Sequence, residues 1–110
     1  MIEEFMINIG FSVEHPGIVL WEEYLQPLNI SHTQFANEIH ISTARAKKLL
    51  KGQSAITSDI ALRLAKYFET SAEFWINWQG VYDLQQTAQQ HQQEYETIQP
   101  RVFLLPNSPW

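Results

Sequence analysis

Four histidines, two adjacent glutamates and a block of lysines and arginines are the residues of this chain best suited to chemistry. Histidine ligation of a metal needs a spacing that brings two rings together, as in H-x-x-x-H or H-E-x-x-H. His15, His32, His40 and His91 have no such spacing, and the absence of cysteine removes a thiolate site, a disulfide framework and a cysteine nucleophile together. No metal and no cofactor is therefore expected. Glu22 and Glu23 are neighbours that point in different directions on a helix, which suits a solvated face and not a pair of catalytic carboxylates. There is no G-x-S-x-G, phosphate loop or G-x-G-x-x-G, so no enzyme is expected.

The basic residues remain. The chain carries a formal charge of −5, which by itself argues against a polyanion partner. The distribution argues the other way. Residues 1–44 hold six acids and no lysine or arginine, whereas residues 45–66 hold six of the seven bases (Arg45, Lys47, Lys48, Lys51, Arg63, Lys66) against Asp59 alone. Five acids and Arg101 follow. Such a field attracts a polyanion to the middle of the chain and repels it from the flanks, which orients docking.

These charges must be positioned by helices, since no strand alternation of any length occurs over residues 15–98. Pro16 suits a first helical position, and Ile18, Trp21, Tyr24, Leu25 and Leu28 recur at helical spacing. Ser31 to Gln34 has the capping-box form S-x-x-Q and opens a short helix through Phe35, Ala36 and Ile39. After a break at His40-Ile41, Ser42 caps a helix through Ala46, Leu49 and Leu50 that stops at Gly52. Thr57 or Ser58 caps a fourth, with Ile60, Ala61, Leu64, Ala65 and Phe68 on one face. Thr70 to Glu73 forms a second capping box before a long helix through Phe74, Trp75, Trp78 and Leu84. The glutamine run from Gln85 to Gln93 reads as a helix projecting from the core or as a frayed stretch, ended by Pro100. With 110 residues and 45% hydrophobic content, one domain is expected. No apolar run approaches the roughly 18 residues of a membrane span, and the start lacks the marks of a signal peptide, so a soluble, cytoplasmic protein without membrane contact is expected.

Two short helices joined by a tight turn, the second bearing positive charge, form the helix-turn-helix arrangement. The stretch from Thr33 to Gly52 resembles the phage-repressor-like (XRE) motif, with Ala36 at the small position, Ile41 and Leu49 at apolar positions, and Gly52 in the following loop. Outside the motif, HPGIVLWEEYLQPLNIS (residues 15–31) and AITSDIALRLAKYFETSAEFWINWQGVYDL (residues 55–84) resemble the HigA antitoxin family, to which the VapI-like plasmid-maintenance antidotes are similar. The resemblance implies an all-α, five-helix lambda-repressor-like domain over residues 15–84, with an N-terminal segment (1–14) before it and a Gln-rich helical extension and irregular tail (85–110) after it. It also implies an antitoxin that binds double-stranded operator DNA as a homodimer, represses its own operon and neutralises a basic HigB-like toxin, a ribonuclease of the RelE group.

Within that resemblance the second motif helix enters the major groove. Thr43, Ala44, Arg45 and Lys48 are its candidates for base readout, Arg45 for paired contacts to guanine O6 and N7. Lys47 and Lys51, with His32 and Gln34 at the start of the first motif helix, are candidates for phosphate contact. The sequence departs from the family pattern in three places. His40 replaces a glycine, Ala46 replaces a larger aliphatic residue and thins the core under the reading helix, and Gln53-Ser54 replaces a basic pair. A free-standing regulator without a toxin, or an interaction module that has lost DNA binding, are the alternative readings. The toxin-contacting surface is expected within residues 1–28 on charge. Dimer contacts are expected from Leu84 onward and at residues 102–105.

Overall fold

A computed structural model describes residues 12–102. The described residues form helices and no strands. Helix α1 (Pro16–Val19) runs on through a π-helical turn, Leu20–Leu25, and a 3-10 turn, Gln26–Leu28. Then come α2 (His32–Ile39), α3 (Thr43–Leu50), α4 (Ser58–Phe68) and α5 (Ala72–Glu96). The five-helix, all-α expectation is met. Residues 1–11 and 103–110, including most of the tail and of the 102–105 patch, lie outside the described residues.

Local chemistry sets most helix starts. Ser31, Ser42, Thr57 and Ser71 are extended N-caps whose hydroxyls accept from the backbone N–H three residues on, at Gln34, Arg45, Ile60 and Phe74. Two capping expectations need correction. Gln34 does not reach back to Ser31, because its amide donates forward to Glu38 at 3.4 Å. The last helix is capped by Ser71, not from Thr70, whose hydroxyl instead accepts from the Trp75 indole at 2.9 Å. Helix α2 ends at His40 (φ 63°) and α4 at Glu69 (φ 55°), both in left-handed backbone.

The first helix also packs differently from its expected 3.6-residue stripe. In the π-helical turn the N–H of Gln26 bonds to the carbonyl of Trp21, five residues back. That wider repeat brings Leu20 and Leu25 to one face, and both are fully buried, while Leu28 is 66% exposed and Tyr24 40%. With Phe35, Ala36, Leu49, Leu50, Ile60, Leu64 and Trp75 they form one core, where each large apolar side chain contributes about 1.5–3 kcal/mol. The aromatic residues of α5 divide between core and surface. Trp75 is buried, Phe74 is 44% exposed, and Trp78 donates to the carbonyl of Glu14 at 3.0 Å. Gln79 accepts from the N–H of Ile56 at 2.8 Å, and Gln85 from that of Val13 at 2.5 Å. The glutamine run is helical to Glu96, with non-helical backbone at His91, and it ends at Thr97 before reaching Pro100.

Candidate nucleic-acid interface

Helices α2 and α3 meet through His40, Ile41 and Ser42. The left-handed backbone at His40 lets the N–H of Ile41 bond to the carbonyl of Ala36 at 2.9 Å, and histidine tolerates that region. Ala36 is fully buried where the helices approach. On α3, Ala46, Leu49 and Leu50 face inward, with Ala46 fully buried. Ala44, Arg45, Lys47, Lys48 and Lys51 are exposed and Thr43 is half-buried. The outer face of α3 thus gathers Arg45 and the three lysines. Lys47 and Lys48, in its last turn, also complement the negative end of the helix dipole.

The residues at the start of α2 are engaged with neighbours. The His32 ring stacks on Trp21, centroids 4.1 Å apart and planes 18° apart, and Gln34 holds Glu38.

Contacts from outside the motif fix α3 at both ends. At its C-terminal end, a Cβ on Gly17 would fall 2.0 Å from the carbonyl oxygen of Leu49, so α1 approaches the backbone of α3 more closely than any side chain permits. His15 secures that approach. It is buried, its Nδ1 accepts from the N–H of Gly17 at 2.9 Å, and its ring meets Tyr82 edge-on at 4.9 Å. Burial lowers its pKa below the usual 6.5, and a hydrogen bond to the backbone of Ser54 with the charges of Asp83 and Glu14 partly offsets this. Gly52, at φ 73°, turns the chain away from α3 beneath Ile18.

At the other end, Arg63 of α4 clasps the turn. Its Nη1 donates to the carbonyls of Ile39 and His40 at 2.9 and 3.1 Å, and its Nε faces both oxygens of Asp59 at 3.1 Å. Asp59 in turn lies 3.6 Å from Nη2 of Arg45. Nearby, the Tyr67 hydroxyl donates to Glu38 at 2.5 Å, and burial, then that carboxylate, push its pKa up to about 12. Sequence reading missed the roles of Gly17, Asp59 and Arg63. The isolated Asp59 in an otherwise basic block was the one visible signal.

The Helix-turn-helix family HTH_3 matches residues 22–75. Virulence-associated protein I of Dichelobacter nodosus is 42% identical over 86 residues, which cover 78% of this chain and 79% of that protein. Among solved structures, the antitoxin HigA of Pseudomonas aeruginosa, determined with the higBA promoter, is 32% identical with a TM-score of 0.77, over 82% of this chain and 99% of its own. An addiction module antidote protein of the HigA family from Coxiella burnetii is 36% identical at the same TM-score, over 83% of this chain and all of its own. Five helices in this order, a capped motif turn and these likenesses over nearly the whole of the solved relatives agree: the chain belongs to the HigA-type antitoxins, helix-turn-helix DNA-binding regulators and not enzymes.

Proposed function

We propose that this protein binds its own operator as a homodimer, represses its operon and neutralises a RelE-like ribonuclease toxin. The observation that carries the DNA half is the outer face of α3, where Arg45 and Lys48 stand exposed above a helix whose opposite side is buried. In this reading residues 15–84 are the DNA-binding unit. Thr43, Ala44, Arg45 and Lys48 read base edges, and Lys47 and Lys51, with His32 and Gln34, hold phosphates. A solved relative of the same fold was determined with promoter DNA, which supports docking through this motif. One reader covers half a site, so two copies about one helical turn, roughly 34 Å, apart are required. Leu84, 44% exposed, lies where contacts between copies are expected to begin. The toxin is a basic protein, met by an acidic surface that includes the exposed Glu14, Glu22 and Glu23.

Titration of the protein into DNA from just upstream of its gene, at two salt concentrations, tests the first half. Tight binding is expected with a log–log salt slope of about −2 per copy from the phosphate contacts of Lys47 and Lys51, and its sequence preference is expected to be lost in Arg45→Ala/Lys48→Ala. No preference over random DNA would mean that the fold serves protein contacts alone. Co-expression with a short basic reading frame beside the gene tests the second half. Failure to co-purify or to restore growth would leave a free-standing regulator.

A further inference from the structure

Arg45 is not a free side chain. The carboxylate of Asp59 lies 3.6 Å from its Nη2, although the two residues sit on different helices and each is about half exposed, at 53% and 54%. Asp59 has little freedom of its own, because both its oxygens are 3.1 Å from the Nε of Arg63, which is fastened to the carbonyls of Ile39 and His40. A fixed negative charge thus stands beside the leading cation of α3, inside the one basic block of the chain.

We propose that Asp59 is a specificity-determining residue that makes Arg45 discriminate between bases and bare phosphate. This rests on α3 being the DNA-facing helix. The physical argument has two parts. An arginine presents five N–H donors in a planar fork, so a carboxylate at Nη2 leaves donors for a guanine edge and fixes the plane in which they point. A DNA phosphate is a second anion near that carboxylate, and repulsion between them weakens the sequence-independent attraction that any duplex exerts on Arg45. Asp59 therefore lowers affinity for all DNA while sparing the guanine contact of Arg45, which carries sequence information. Lys47, Lys48 and Lys51 show no ion pair with an acid among the described residues, which sets Arg45 apart on its helix.

The test compares wild type, Asp59→Asn, Arg45→Ala and the double variant, each titrated with upstream DNA and a scrambled duplex of equal length at one salt concentration. Asp59→Asn is expected to tighten scrambled-duplex binding about threefold or more and to lower the preference for upstream DNA by a similar factor. In the Arg45→Ala background the same substitution is expected to leave the preference unchanged. Asp59→Glu keeps the charge and is expected to retain most of the preference. Thermal midpoints of all five proteins separate a specificity effect from loss of fold. An unchanged preference in folded Asp59→Asn, or an equal fall with Arg45 already removed, overturns the proposal. A wild type with no preference for upstream DNA defeats instead the reading of α3 on which it stands.

Discussion

Gly17 shows how one missing side chain can hold a motif together. The contact its Cβ would make is with the backbone oxygen of Leu49 at 2.0 Å, and a carbonyl inside a helix has no rotamer to move into. Gly17→Ala must push α1 off α3. Overpacking of this kind is expected to cost about 3 kcal/mol or more, read as a fall in the denaturant midpoint. Gly52 is a useful contrast, since a Cβ there would meet the flexible end of Ile18 at 2.8 Å. Its left-handed φ of 73° sets the smaller penalty, about 1 kcal/mol for alanine. The HPG tripeptide was legible in the sequence as a helix start. That its glycine exists for a neighbour 32 positions away was not, because no local rule encodes a long-range approach.

Elements are joined at His15, where α1, the loop after α3 and α5 converge. Because burial lowers its folded pKa beneath 6.5, the unfolded chain binds the proton more readily. The stability from neutral His15 is therefore fully present above about pH 6.5 and is lost as pH falls through the lower, folded value. Wild type is expected to lose more stability between pH 7 and pH 5 than His15→Asn, in which a side-chain oxygen can still accept from Gly17. Denaturation at the two pH values checks this, and parallel losses would exclude His15 as the cause. Elements as such were largely legible, since caps and left-handed stops depend on neighbouring residues. The exceptions are instructive: the π-helical turn arises from the demand that Leu20 and Leu25 both be buried, and Thr70 lost its capping role to the indole of Trp75. Tertiary demand overrode local preference in each. The basic face of α3 was visible in composition, but the Arg45–Asp59–Arg63 chain, with its hold on the Ile39 carbonyl, joins α3, α4 and α2 and appears only once they are folded together.

At the scale of the whole molecule the described residues measure 54 × 30 × 22 Å, far from spherical. Helix α5, about 37 Å long at 1.5 Å per residue, accounts for the elongation, and residues 91–102 are exposed throughout. Replacing the exposed Gln92 and Gln93 by alanine is expected to leave the thermal midpoint within about 2 °C, since exposed positions away from caps and core contribute little. A larger drop would show that this stretch of α5 carries packing that its exposure does not reveal. Family and architecture were legible at this scale because spaced motifs cover most of the chain.

The close approach of Gly17 to Leu49 and the hold of Arg63 on the turn have a joint consequence for how a duplex is accommodated. On the proposed reading, in which α3 enters the groove, a helix seized at both ends cannot roll or slide to suit an imperfect fit. Misfit must then be absorbed by the DNA, through bending or local twist, and sequences that deform easily at positions the protein never touches gain an advantage over stiff ones. In such a system part of the operator's message is written in its mechanics.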